Sequence, residues 1–136
     1  TIPLAVGCAV AQPDSQILAV TGDGSLELNI QELKTISHYG FNIKLFVINN
    51  GGYASMRKWQ DAFFDGRRID TEEATGIGTL NLKKVAEAFD LEWVLIDKFE
   101  EIDSVLLDVV FNNDRPMFVE VVTDPNQKII EAFSGY

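Results

Sequence analysis

Two short, nearly unbroken apolar runs punctuate the first third of the chain, Ile-Leu-Ala-Val at 17–20 and Ile-Lys-Leu-Phe-Val-Ile at 43–48. Runs of that length without alternation predict strands of a parallel sheet buried on both faces. Similar runs at 92–96 and 117–122 predict two further strands. Between strands the apolar spacing lengthens to three and four. Leu26, Ile30, Leu33 and Ile36 predict one amphipathic helix that ends near Tyr39 and Gly40, with Ser25 capping its start. Other helices are predicted over 54–64, from an Asn81 cap through Leu82, Val85, Ala86 and Phe89, and over 100–111. A first helix is expected from Pro3, a residue suited to a first turn, to Ala11, before the breaker Gln12-Pro13-Asp14-Ser15. This alternation predicts an α/β fold: a doubly wound, mostly parallel sheet with helices on both faces and right-handed crossovers. Residues 65–80 are rich in Gly, Thr, Asp and Glu and lack periodicity. That is long for a connector, so the stretch reads as a functional or mobile loop. The residues after Pro125 read as a peripheral excursion.

Length and charge narrow the picture. The 136 residues suffice for one domain with a substantial core, and no internal repeat or second domain is visible. A net charge of −10 argues against nucleic acid, which demands clustered Lys and Arg. No apolar run is long enough for a bilayer and no signal segment opens the chain, so a cytoplasmic location is the default expectation. The single cysteine, Cys8, lies in an apolar run and is expected to be a buried, reduced thiol. The chain opens at Thr1, already inside an expected helix, and reads as a piece of a longer polypeptide. His38, the only histidine, is expected to be exposed at a helix end. Nothing resembles a Ser-His-Asp set or a Cys-His zinc cluster.

Candidate chemistry lies just past the first two strands, in Gly22-Asp23-Gly24-Ser25 and in Asn49-Asn50-Gly51-Gly52. Open α/β sheets bind ligands at the carboxyl ends of their strands. Each cluster alone is an ordinary turn, but together they supply what a metal-bound diphosphate needs. Asp23 offers a carboxylate, Asn50 a neutral amide oxygen and Gly52 a main-chain carbonyl, all oxygen donors of the kind Mg²⁺ prefers. Gly22 and Gly24 are expected to permit positive φ and close approach to a ligand. The amides of Gly24 and Ser25, at the start of the helix from Leu26, are expected to face the diphosphate, and Gly51-Gly52 to repeat the arrangement before the next helix. A cation also explains how an acidic protein takes an anionic ligand. A nucleotide-binding reading is weakened because no G-x-G-x-x-G follows the first strand.

At these residues the chain resembles the thiamine diphosphate-dependent enzymes, whose cofactor motif is GDG followed at about this interval by NN. The stretch Gly24-Ser-Leu-Glu-Leu-Asn-Ile-Gln-Glu-Leu33, the Asn-Asn turn and Trp59-Gln60 are similar to the acetolactate synthase-like branch, as are 84–89 and 116–121. The resemblance covers about 3–122 and implies a single C-terminal cofactor-binding domain over 1–136, truncated at its N-terminal edge. It implies Asp23, Asn50 and the Gly52 carbonyl as metal ligands. Gly22, Gly24, Ser25, Asn50, Gly52, Tyr53 and Ala54 would hold the cofactor. Ser55, Met56 and Trp59 fall where the family borders the thiazolium ring and substrate channel, with helix packing as the plainer reading. Residues 65–78 would form a lid. Two departures stand out: the family's first strand would lie before Thr1, and the tail 124–136 lacks the Pro-rich ending common in acetolactate synthases.

The implied activity is that of the parent enzyme: decarboxylation of a 2-oxo acid and transfer of the two-carbon carbanion, with Mg²⁺ and thiamine diphosphate as cofactors. Alternatives are a 2-oxo acid decarboxylase and a non-catalytic Mg²⁺–diphosphate module. The activating glutamate is expected in a missing pyrimidine-binding domain of the parent chain or a partner subunit. Glu27 and Glu32 read as helix-face groups, so the isolated chain is expected to be silent. A homo-oligomeric parent is implied, with no nucleic-acid or membrane partner.

Overall fold

The computed structural model describes residues 1–127 and contains a four-stranded, all-parallel sheet in the order β1-β2-β4-β3. The strands are β1 (Ile17–Gly22), β2 (Ile43–Asn49), β3 (Glu92–Ile96) and β4 (Met117–Val122). The helices are α1 (Ile2–Ala11), α2 (Asp23–Glu27), α3 (Glu32–Tyr39), α4 (Ala54–Phe63), α5 (Leu82–Ala88) and α6 (Ser104–Phe111). The expected α/β class is therefore the observed one.

The register explains why the central strands read as unbroken apolar runs. Ala19, Leu45, Phe118 and Trp93 form one row across the sheet, and Val20, Phe46, Val119 and Val94 form the next. Successive rows face opposite sides because strand side chains alternate. The first row packs under α1, α3 and α5 through Ile2, Ala5, Ala9, Leu33, Ile36, Leu82 and Ala86. Phe46, Val94 and Val119 of the second row pack under α6 through Leu106 and Val110. With both faces covered, β2 and β4 have no solvent side to display polar residues.

Lys44 breaks the run in β2 without leaving the core. Its Nζ donates to the carbonyls of Asn113 (2.9 Å) and Arg115 (2.6 Å) and to Asn113 Oδ1 (2.8 Å), clamping the turn into β4. Burial pushes the ammonium below its usual pKa, partly opposed by Asp114.

Several expectations are corrected. The helix from Leu26 is two helices, α2 and α3, joined by turns in which Asn29, Glu32, Leu33 and Lys34 donate to carbonyls three residues back. The apolar stripe survives because Leu26, Leu33 and Ile36 still face the core, so periodicity alone does not register the break. Ser25 does not cap: Gly22 occupies the cap and Ser25 lies inside α2, exposed. The helix expected over 100–111 begins only at Ser104, where the Asp103 carboxylate accepts from the Leu106 amide at 2.8 Å. Cys8 is exposed, because α1 buries only the stripe Ile2, Ala5 and Ala9. Other expectations match. Asn81 caps α5 by accepting from the Lys84 amide, Gly40 ends α3 in the left-handed conformation, and His38 is exposed in the last turn of α3. The excursion expected after Pro125 lies mostly outside the described residues.

Candidate metal and diphosphate site

The two polar clusters meet at the carboxyl edge of the sheet. Gly22 pairs with Ile48 at the ends of β1 and β2, so Asp23 and Asn49 leave adjacent strands side by side. Asp23 joins the two turns directly. Its Oδ1 accepts from the Gly24 amide at 2.8 Å and its Oδ2 from the Gly52 amide at 2.9 Å.

The two asparagines do different work. Asn49 is bound on both sides of its amide: Nδ2 donates to Glu120 Oε1 at 2.7 Å, and Oδ1 accepts from the Gly51 amide at 3.3 Å. Glu120, 8% exposed on β4, also accepts from Trp93 Nε1 at 3.0 Å. The chain Trp93–Glu120–Asn49–Gly51 thus fixes the start of the turn. Asn50, by contrast, has a buried Oδ1 with no hydrogen-bond partner. A buried acceptor left unpaired costs about 1–3 kcal/mol and is rare in folded proteins. A cation bound at this oxygen would remove that cost.

The glycines serve the site in other ways than expected. Gly22 has φ −93 and Gly24 is helical, so neither uses positive φ. Gly24 instead makes room for Tyr53, whose ring Cε1 would lie 2.5 Å from a Cβ at position 24. The Gly24 amide is accordingly covered and directed at Asp23 rather than outward. Gly51 and Gly52 do need positive φ, at +72 and +124. At position 52 a Cβ would also stand 2.5 Å from the Thr71 carbonyl oxygen.

That contact roots residues 65–80 in the site. The Thr71 carbonyl accepts from the Tyr53 amide at 2.9 Å and from Arg57 Nη1 at 3.1 Å, and Thr71 is buried. Arg68 pairs with Asp61 at 2.7 Å and with Glu72 at 2.9 Å, tying the same segment to α4. Residues 77–80 then line a cleft with Asp23, Gly24, Glu27, Asn49 and Gly52. Glu27 therefore borders the cleft, whereas Glu32 accepts a hydrogen bond from Thr35 at 3.1 Å. Ser55, Met56 and Trp59 face outward from α4, Trp59 stacking on Phe63 at 4.7 Å, and none lines that cleft.

Among the described residues, no group of three His, Cys, Asp or Glu side chains is placed to hold a metal. An ion held by Asp23 and Asn50 would therefore need carbonyl, ligand and water oxygens to complete its shell, the donor set of a hard cation. Sequence reasoning missed Glu120 and Arg57. The signal for Glu120 was present, an acid inside the apolar run 117–122, whereas Arg57 lies among the polar residues of α4, off its Met56, Trp59 and Phe63 stripe, and carried none.

The family model for the thiamine pyrophosphate enzyme, C-terminal TPP binding domain, matches residues 1–121. The acetolactate synthase large subunit of Porphyra purpurea is 37% identical over 109 residues, covering 80% of this chain and 18% of that protein. The acetolactate synthase large subunit of Lactococcus lactis is 30% identical over 133 residues, covering 95% of this chain and 22% of its own length. Among solved structures, a thiamine diphosphate-dependent 4-hydroxybenzoylformate decarboxylase from Rhodococcus jostii superimposes with a TM-score of 0.77 at 25% identity, over 93% of this chain and 23% of that one. The chain belongs to the C-terminal cofactor-binding domains of the thiamine diphosphate enzymes, and its curated relatives place it among the acetolactate synthase-like ones. It spans about a fifth of the length of those relatives.

Proposed function

We propose that this chain binds Mg²⁺ and the diphosphate of thiamine diphosphate through Asp23, Asn50 and the Gly52 carbonyl. In this reading it serves as the cofactor domain of an acetolactate synthase-like enzyme that decarboxylates a 2-oxo acid and transfers the two-carbon unit. The observation that carries the reading is the buried, unpartnered Asn50 Oδ1 in the same turn whose Gly52 amide donates to Asp23, a carboxylate oriented by two backbone amides. Asp23 brings the one formal charge, Asn50 adds an oxygen without further charge near the phosphates, and Gly52 presents a carbonyl from a turn that only glycine can make. When bound, the cofactor supplies the nucleophilic carbon and the electron sink for decarboxylation.

The chain's own residues hold and orient. Asp23 fixes the spacing between the two turns, Glu120 and Asn49 fix the exit of β2, and residues 77–80 form one wall of the cleft. Gly22, Ser25 and Ala54 would help hold the diphosphate, and Tyr53 packs over Gly24. Ser55, Met56 and Trp59 face away from the cleft, which suits a channel completed by other domains. The activating glutamate belongs to such a domain, of the parent chain or a partner subunit in a homo-oligomer. A second reading, a 2-oxo acid decarboxylase without ligation, draws on the likeness to the 4-hydroxybenzoylformate decarboxylase.

Titration of the full-length protein with thiamine diphosphate, with and without Mg²⁺, tests the binding claim. Binding should require Mg²⁺ and vanish in Asp23→Ala, whereas equal binding without metal would defeat it. Product analysis with a 2-oxo acid, with and without a second oxo acid as acceptor, separates transfer from simple decarboxylation.

A further inference from the structure

Arg57 is the most deeply buried cationic group near the cleft, 3% exposed, yet it makes no close pair with Asp23. Its guanidinium instead collects main-chain carbonyls. Nη2 donates to Asn50 O at 3.0 Å and Pro125 O at 3.1 Å, and Nη1 to Gly51 O at 3.3 Å and Thr71 O at 3.1 Å. Its Nε lies 3.8 Å from Glu72, which Arg68 also holds. A planar fork with five donors can serve several acceptors at once in a way that a single ammonium cannot.

The choice of carbonyls is selective. Two of the four belong to Asn50 and Gly51, consecutive residues of the turn. Both carbonyls are drawn toward the guanidinium, on the helix α4 side. The Gly52 carbonyl is not among Arg57's acceptors, and the Asn50 side-chain oxygen has no partner. The third carbonyl, Thr71 O, sits against Gly52 and accepts from the Tyr53 amide. One side chain thereby sets the peptide orientation of the turn that presents Asn50 and Gly52, and ties the root of 65–80 to it.

We infer that Arg57 is a positioning residue for the cation, orienting Asn50 and Gly52 by holding the neighbouring carbonyls away from the metal. The inference rests on the proposed Mg²⁺–diphosphate reading of Asp23, Asn50 and Gly52. Arg57 touches neither metal nor cofactor in this account, so its loss acts on how much Mg²⁺ the site requires. A purely structural arginine would lower stability without changing that requirement.

The experiment uses the full-length protein and measures the Mg²⁺ concentration that half-saturates thiamine diphosphate binding at fixed cofactor. Four proteins are compared: wild type, Arg57→Met, Arg57→Lys and Lys44→Met. Lys44→Met also deletes a buried, multiply bonded cation, but at the opposite edge of the sheet. Arg57→Met should raise the Mg²⁺ requirement about 10- to 100-fold, as removal of groups supporting metal ligands does. Arg57→Lys should recover part of that loss, and Lys44→Met should stay within about twofold of wild type, as a distant site should. If Arg57→Met does not accumulate as folded protein, Arg57→Lys alone decides, with a rise of at least about threefold expected. An Mg²⁺ requirement unchanged in the Arg57 variants, or raised equally by Lys44→Met, would overturn the assignment. Wild-type binding that ignores Mg²⁺, or that survives Asp23→Ala, would overturn the underlying site reading, and is recognised in arms that do not involve Arg57.

Discussion

Gly52→Ala is the substitution whose cost follows most directly from the geometry. The residue has φ +124, a conformation that costs a non-glycine residue about 1–3 kcal/mol. The new Cβ would lie 2.5 Å from Thr71 O, 3.3 Å from Thr71 C and 3.4 Å from Arg57 Nη1. Neither a backbone carbonyl nor a buried guanidinium yields as a free side-chain end would. Relief requires the Thr71 carbonyl to withdraw, loosening the hydrogen bonds from the Tyr53 amide and Arg57, about 1 kcal/mol each. Together these terms predict a loss of about 3–5 kcal/mol. Gly51→Ala is the matched control: φ is +72, nothing lies within 4 Å of the added Cβ, and the cost is about 1–2 kcal/mol. Urea unfolding of both variants of this chain, followed by tryptophan fluorescence, measures the difference. Gly52→Ala should be less stable than Gly51→Ala by about 2–3 kcal/mol. Equal losses would refute the claim that Thr71 is seated against Gly52.

Asn50→Ala should leave metal-free stability unchanged or raise it by up to about 1 kcal/mol, because it deletes an unpaired buried acceptor, while abolishing stabilisation by Mg²⁺ with cofactor. Thermal melts with and without both ligands check this, and a large metal-free loss would contradict it. Glu120→Leu should cost about 2 kcal/mol by stranding Asn49 and the Trp93 indole, with a shift in Trp93 emission as the readout. The Arg68 hydrogen bond holds the Asp61 carboxyl below its usual range. Its folded-state pKa is depressed, so the stabilisation is complete above the unfolded value and disappears as pH falls through the folded one. The stability gap between wild type and Asp61→Asn should therefore close in acid, and a gap that persists there would count against the pairing. Leu18 and Val20 on edge strand β1 are 59% and 58% exposed, so the isolated chain should self-associate. Lysine at both positions should lower its sedimentation coefficient, whereas a wild-type chain that is already strictly monomeric would contradict the expectation.

The sheet was legible because two-sided burial leaves a direct mark: β2 and β4 have no solvent face, so their sequences run apolar. The Gly22–Gly24 and Asn49–Gly52 clusters were legible as neighbours for the same reason, since parallel strands deliver consecutive carboxyl ends to one edge. The break between α2 and α3 was not legible, because both segments keep one stripe on the core whatever their hydrogen-bond pattern. Cys8 was misplaced since α1 is apolar all round and sequence does not say which side the sheet takes. Lys44 and Glu120 each stand as a charge in an apolar run, which signals a buried partner without naming it, whereas Arg57 sits among polar residues of α4 and leaves no such mark. Their partners are largely backbone carbonyls or groups on other elements, and only tertiary structure brings those together.

The central claim is that Asp23, Asn50 and Gly52 hold one cation against a diphosphate. Crystals of the full-length protein grown with Mn²⁺ in place of Mg²⁺ and with thiamine diphosphate test it most directly through the anomalous signal of the metal. The account predicts one peak about 2.0–2.3 Å from a carboxylate oxygen of Asp23, Asn50 Oδ1 and the Gly52 carbonyl, with phosphate oxygens completing the shell. A metal bound elsewhere, or a diphosphate seated with Asn50 Oδ1 still unpartnered, would contradict it.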